Sequence, residues 1–595
     1  MNVEILGYLV RYLATIHEWS SWPFLMMEFI FWLVVLVAAV AVAFVPHTAF
    51  LSLRQRFGAV ARFERAPFWI GVAAIALRIA LLPWIPIPDA SVHDEFSYLL
   101  GAKTLAHFAL TNPSHPMAAF FESFHINVWP TYESMYLPGQ AAFLAVGILL
   151  FNQAWWGVVL AVGLMCGTVT WMLRAYVPAR WALAGGIFCI LRYAVFSYWI
   201  NSYWGGAVAA LGGALVLGAW PRLRRTQRPL YGVLLAIGLV LMAFTRSFEG
   251  ALFALPVGIA GCVWLGRRAF RRESLKFAAA GLAILIAATA FLLYYDARGT
   301  GNALVMPYKV NQRLYHLTGP FVWQRTMQIP NYHHELMRRH YILWEVPIYR
   351  ALGDPDGRRD VLYERFNTYY LGYFWPMLLL VPAGLRFVLK DRRTRLAGLG
   401  FLAVCVAVLC EAWVGMPHYM APAMGATMII VISGLRVLWS MRFRGMLYGR
   451  AIAIAAVVVM GGWLLALSAD AIWDPYQIDS VAEIRQEWEQ LRANAQLAHT
   501  PGLHLVIVHD RLTANIHNDW VHNEPDIDHS KVVWARDMGP YMDLYLLRYY
   551  ANRQVWYLDN DDGIRALRPY AMHDAADFVA KRTVAGRPAA AQSAR

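Results

Sequence analysis

Residues Pro67 to Tyr98 read PFWIGVAAIALRIALLPWIPIPDASVHDEFSY. From Pro67 to Ile87 the stretch is mostly apolar and long enough for one bilayer crossing, which takes about 20 such residues. It turns polar within a few positions, at His93-Asp94-Glu95. Comparable apolar stretches recur at Phe24 to Val45, Leu230 to Phe244, Phe248 to Leu265, Phe277 to Tyr295, Gly372 to Leu389, Leu396 to Cys410, Tyr419 to Trp439 and Ala451 to Ser468. No soluble fold buries that many. Composition agrees: 59% of the 595 residues are hydrophobic and 15% charged, against about a quarter charged in soluble proteins. The 25 Trp and 30 Tyr suit the aromatic belts that form where a bilayer meets water.

The net charge of +14 comes from short basic clusters between apolar runs, not from one basic face, so nucleic acid is not an expected partner. Such clusters mark the cytoplasmic side. They are Arg54, Arg56, Arg62 and Arg65; Arg222, Arg224, Arg225 and Arg228; Arg267, Arg268, Arg271, Arg272 and Lys276; Lys390, Arg392, Arg393 and Arg395; and Arg442, Arg444 and Arg450. Three larger polar segments then fall on the outer side: 88–137, 296–371 and everything after Asp470. The five cysteines, Cys166, Cys189, Cys262, Cys405 and Cys410, lie inside apolar segments and read as small buried hydrophobes, with no disulfide framework or CxxC metal site. Met1 to Ser20 carries Glu4, Arg11, His17 and Glu18 and does not read as a cleavable signal peptide.

Between the first outer loop and the Arg222 cluster lie four apolar stretches: Pro138 to Phe151, Ala154 to Leu173, Trp181 to Ile200 and Tyr203 to Trp220. The crossing demands an odd number. One stretch is expected to be re-entrant, or two to form a single bent helix, where protein covers the exposed backbone. Beyond Asp470, a charged helical stretch from Ser480 to Gln496 precedes strand-like runs at Leu503 to Val508, Lys531 to Trp534 and Gln554 to Leu558, with a helix at Met542 to Tyr550. The expected fold is an α-helical polytopic membrane protein of about 12–13 transmembrane helices with a small C-terminal α/β domain outside the membrane. Its expected divisions are 1–66 with an additional helix, 67–469 as the main membrane domain, and 470–595.

Adjacent carboxylates at Asp94-Glu95 are read in two ways: an anionic base at the water interface, or Asp94 as the cap of a surface helix. A span rising to the outer face, then Asp-Glu-x-x-Tyr, then a return through Tyr136-Leu137-Pro138-Gly139-Gln140, resembles the GT-C glycosyltransferases, and within them the protein O-mannosyltransferases and lipid A aminoarabinose transferases. The helix Phe24 to Val45 and Pro138-Gly139, where that family has Pro-Pro, depart from the pattern. The resemblance implies a polyprenyl-phosphate sugar donor, a lipid, glycan or protein acceptor, inverting transfer at the outer face of the cytoplasmic membrane, Asp94 as catalytic base, and Glu95 orienting the acceptor.

The chemistry also asks for cations on a lipid phosphate and a wall around the sugar. Arg246, in Thr245-Arg246-Ser247-Phe248-Glu249, is a candidate for the phosphate or a snorkelling partner of Glu249. His418-Tyr419, in an outer turn, is a second candidate beside the interfacial-belt reading. Tyr98 completes the first-loop motif. Tyr203 and Trp204 either line a sugar site or belong to close packing through Gly205, Gly206, Gly212 and Gly213. Lys309 and Arg313 read as solvated loop cations. His333-His334-Glu335 with His340 lacks the zinc spacing, and Asp559 to Gly563 lacks that of a calcium loop, so neither metal nor cofactor is expected. The rival readings are a transporter or flippase, which calls for half-repeats and midplane charges, and a non-catalytic scaffold presenting the tail.

Overall fold

The computed structural model describes residues 23–44, 51–267, 272–413, 415–442, 448–473, 488–514, 516, 519–560 and 567–570. The leading segment Met1 to Ser20, parts of the Arg267 and Arg442 clusters, the start of the Ser480 helix, and Asp561 to Gly563 lie outside the described residues. The chain is an α-helical polytopic bundle carrying a small α/β sheet domain at one end. Helices Met26–Phe44, Trp155–Leu173, Ser247–Gly266, Ala278–Thr300 and Pro417–Ser440 are long and apolar enough to cross a bilayer alone, and shorter apolar helices complete the bundle. Among the described residues, the basic connections at 61–64, Arg174 and Arg222 meet at one end of the bundle: Arg174 bonds the 61–64 turn and Arg222 the Trp171 carbonyl.

Hydrogen bonds at the helix ends settle the count between 138 and 226. Arg174, just after Trp155–Leu173, donates to the carbonyls of Ala61, Phe63 and Glu64, so that helix finishes at the basic end. It begins at the loop end, where Trp155 donates to the Ile200 carbonyl under the Arg78 guanidinium. Helix Pro138–Phe151 also begins at the loop end, since the Gly139 N–H donates to the Phe244 carbonyl at 2.8 Å. It finishes there too, because Asn152, in the left-handed region at φ 53°, turns the chain straight into Trp155. With 14 residues, about 21 Å at 1.5 Å per residue, it lies across the loop end instead of spanning. With that helix set aside, Trp155–Leu173, Ala179–Tyr193 and Ala207–Thr226 remain, an odd number, of which Trp155–Leu173 is long and apolar enough to cross alone. Neither a re-entrant segment nor a merged pair is needed.

Three further expectations change. The run Gly372 to Leu389 is not one straight span: Pro355–Phe374 and Leu378–Lys390 meet at 87°. Pro376 removes an amide and pushes Trp375 to extended backbone (ψ 133°), so the helix cannot continue. The run Trp181 to Ile200 is helical only to Tyr193, and beyond it the Asn201 side chain binds the carbonyls of Val195 and Ser197 in place of helix amides. Cys262 is exposed; Cys166 and Cys189 are buried as expected, and Cys405 and Cys410 half-buried.

In the tail, His504–Asp510 is the central strand, flanked in parallel by Val532–Arg536 and Gln554–Asn560, with Leu567–Pro569 antiparallel at one edge. Covered faces explain its uninterrupted Leu-Val-Ile-Val run. The loop 88–137 contributes a small sheet of Asn112–Pro113, Thr131–Ser134 and Ile126–Asn127, which the sequence did not announce. Loop and tail share one hydrophobic core: Leu100, Phe120, Phe121, Ile126 and Tyr132 pack with Leu505, Ile507, Val533, Ala535 and Leu546.

The placement of Pro138–Phe151 is directly testable. A reporter fused at Asn152 should report the same side as fusions at Glu122 and Tyr332, and the side opposite to fusions at Arg174, Arg224 and Arg393. A reporter at Asn152 grouping with Arg174 would overturn this topology.

Candidate active site

The loop helix His93–Ala106 starts after Val92, whose backbone is extended. Glu95 reaches back over the two amides just before the helix: Oε2 accepts from the N–H of Ser91 at 2.7 Å and of Val92 at 3.2 Å. Capping therefore falls to Glu95 and not to Asp94. Oε1 of Glu95 accepts from the N–H of Tyr203 at 2.7 Å, tying this helix to the segment before Ala207–Thr226. Glu95 is 1% exposed. Burial outweighs these donors and pushes its carboxyl up to about 7.

Asp94 meets different partners. Its Oδ1 accepts from the Tyr136 hydroxyl, with His125 Nδ1 3.4 Å away, and Oδ2 has no partner among the described residues. Burial raises its carboxyl pKa, but His125, the His93 ring and the Tyr136 hydroxyl together outweigh it and hold Asp94 well below the usual carboxylate range. Neighbouring carboxyls are thus driven apart: Asp94 stays ionised while Glu95 hovers near neutrality.

The Tyr136 ring stacks on Tyr98, centroids 4.4 Å apart. Tyr98 in turn shares a narrow gap with Gln140, Trp204, Thr245 and Arg246. Arg246, at the start of Ser247–Gly266, lies 3.7 Å from Glu249 and places its guanidinium 4.3 Å from the centre of the Tyr419 ring. Its second acidic neighbour is Glu411. Burial first, and then the charge of Glu249, push the Glu411 carboxyl well above the carboxylate range. His418 receives the Tyr198 hydroxyl at Nδ1, 3.0 Å away, while its own N–H donates to that hydroxyl oxygen at 3.0 Å. With the hydroxyl assigned as donor, Nε2 carries the ring proton. Trp204 and Tyr419 press edge-on against the same imidazole.

Behind Trp204 opens a cavity of about 630 Å³, walled by Trp199, Trp375, Trp463 and Tyr198, with Arg192 its cation. The corner at Pro376 lines it. Arg192 is surrounded by Tyr193, Tyr370 and Tyr373.

Of the residues singled out in the sequence, Asp94, Tyr98, Trp204, Arg246, His418 and Tyr419 converge on this cleft. Tyr203 does not join them, since its N–H goes to Glu95 and its hydroxyl to the Pro88 carbonyl. Both Glu95 oxygens are likewise taken by backbone. Lys309 and Arg313 are exposed on helix Pro307–Tyr315. His125, Tyr136 and Arg192 were missed. Tyr136 stood in the quoted Tyr-Leu-Pro-Gly return, and Arg192, a charge inside an apolar run, was a legible signal; nothing local marks His125.

No family model matches the chain, and neither does any curated protein. Among solved structures it is similar to ArnT from Cupriavidus metallidurans in the apo state, with 15% identity, coverage of 83% of this chain and 93% of that one, and a TM-score of 0.47. ArnT from the same organism bound to undecaprenyl phosphate gives 14%, 82%, 92% and 0.45. The oligosaccharyltransferase AglB from Archaeoglobus fulgidus, in complex with an inhibitory peptide and a dolichol-phosphate, gives 10%, 83%, 69% and 0.42. These are distant likenesses of overall arrangement, and the chemistry assigned below comes from this chain's own residues.

The raised Glu95 pKa carries a sign. An acid raised from 4.5 to about 7 on folding contributes stability that is complete below the unfolded value and is lost as pH rises through the folded one. Wild-type protein should therefore lose about 3 kcal/mol of stability relative to Glu95→Gln between pH 4.5 and 8. Melting curves of both proteins across that range, with parallel slopes as the contrary result, check it.

Proposed function

We propose that the chain is a membrane glycosyltransferase, moving a sugar from a polyprenyl-phosphate donor to an acceptor hydroxyl at the outer face of the cytoplasmic membrane. The observation that carries this reading is the cleft itself: an ionised carboxylate with one free oxygen faces a cation and a histidine N–H across stacked tyrosines, at the mouth of an apolar cavity. The GT-C resemblance of the first-loop motif points the same way.

In this reading the cavity takes the start of the lipid chain along its tryptophans, and Arg246, with the Nε2–H of His418, holds the phosphate. Tyr98 and Trp204 flank the sugar. The acceptor hydroxyl donates to Asp94 Oδ2 and attacks the anomeric carbon from the face opposite the phosphate. The new C–O bond forms as the bond to the phosphate oxygen breaks, and the acceptor's proton passes to Asp94 and then to water. A carboxylate of depressed pKa is a weak base, but it suffices here. Glycosyl transfer runs through an oxocarbenium-like transition state, so the hydroxyl becomes strongly acidic only as its bond to carbon forms.

Purified protein supplied with synthetic undecaprenyl-phosphate pentoses and hexoses should release undecaprenyl phosphate. Asp94→Asn should cut that rate about a hundred- to ten-thousandfold while leaving donor binding intact, and Arg246→Ala should chiefly weaken binding. An Asp94→Asn protein with normal release would refute the assignment of the base.

A further inference from the structure

The tail meets the first loop through one buried guanidinium. Arg536, the last residue of strand Val532–Arg536, is 1% exposed. Its Nη1 and Nη2 each lie 2.8 Å from a carboxylate, Asp510 and Asp519. Its Nε donates across the boundary to the Glu122 carbonyl at 2.7 Å. The next loop residue, Ser123, donates to the same Asp519 oxygen at 3.0 Å, with His522 Nδ1 3.2 Å from its hydroxyl. The His522 ring then stacks flat on Phe96, centroids 3.6 Å apart, two residues beyond Asp94.

From the other side, the Glu122 carboxylate faces His333 at 3.1 Å and His334 at 3.5 Å in the second large loop. Glu122 and Ser123 are therefore gripped by two separate parts of the protein. Two residues on stands His125, the imidazole against Asp94. Its backbone sits in the left-handed region at φ 59°, where a side chain crowds the carbonyl. Its carbonyl is pinned by the Ser97 hydroxyl at 2.6 Å and the Met135 N–H at 3.1 Å. A conformation of this kind persists only where its surroundings over-determine it. The shared apolar core supplies adhesion between loop and tail, but apolar contact is non-directional. The fork of Arg536 supplies the register.

We propose that Arg536 is a positioning residue through which the tail domain sets the Glu122–His125 segment, so that His125 meets Asp94 in the geometry transfer requires. The tail is then part of the active site's construction and not an appended module. This rests on Asp94 as the base.

Removing a buried charged partner outright can unfold a protein, so the test uses Arg536→Lys, which keeps the charge and loses the fork, and Ser123→Ala, which removes one link. Full-length protein in detergent is assayed for undecaprenyl phosphate release from an undecaprenyl-phosphate pentose. In parallel, carbethoxylation of His125 by diethyl pyrocarbonate is followed by mass spectrometry, with exposed His529 as internal reference. Each variant should lower kcat about tenfold to a hundredfold with KM for the lipid donor unchanged, and His125 should react faster relative to His529. Wild-type kcat with His125 still protected overturns the proposal, as does a loss of kcat with His125 reactivity unchanged. Normal release by Asp94→Asn would instead defeat the base assignment, and His125 reactivity then decides the clamp by itself.

Discussion

One buried carboxylate holds the site together. Glu95 joins two elements more than a hundred residues apart in sequence by accepting backbone N–H groups from both, at the start of the loop helix and at Tyr203. A buried amide without an acceptor is costly, so the two ends cannot separate without stranding donors in a region with little water. The loop helix is thereby held against the bundle, and everything carried on it, Asp94 and Tyr98 first, faces the turn bearing Arg246 and the one bearing His418. Adjacent acids in one motif thus end in opposite settings, and environment alone makes the difference. Glu95 is enclosed with backbone donors, whereas Asp94 is enclosed with an imidazole and a phenol.

The membrane architecture was largely legible because lipid imposes a length and a polarity on every span. Helix ends such as Arg395–Cys410 and Pro229–Ala243 fall within a residue or so of the apolar runs that announced them. The tail strands were legible for a related reason, since a strand covered on both faces reads as an unbroken apolar run. What composition could not do was distinguish an apolar helix that crosses from one that lies across the end, because both shed water equally. Pro138–Phe151 is sorted only by where its ends are bonded. Pro376 was visible, yet its corner was hidden by the apolar residues on either side.

The candidate site was half legible. Asp94, Arg246 and His418 were visible as charged or polar groups at the ends of spans, where a bilayer protein has reason to keep few of them. For Tyr203 two readings stayed open, because an aromatic beside glycines looks alike whether it lines a cleft or locks a backbone; its bonds to Glu95 and Pro88 fit the second. His125 was invisible for a deeper reason: its placement depends on contacts with Asp94 and Ser97, and on a segment bonded by Arg536 more than four hundred residues later. No window along the chain contains that information.

Helix Pro138–Phe151, lying across the loop end, also fixes a height. Leu149, Leu150 and Phe151 stand out from it at 51%, 67% and 60% exposure, a ridge of greasy side chains level with the top of the bundle. Lifting the molecule outward would wet that ridge, at roughly 25 cal/mol for each Å² of apolar surface uncovered. Sinking it would drag Asp94 and its neighbours toward hydrocarbon. Under the proposed reading the ridge would act as a waterline, setting the depth of the carboxylate without any contact to the carboxylate itself.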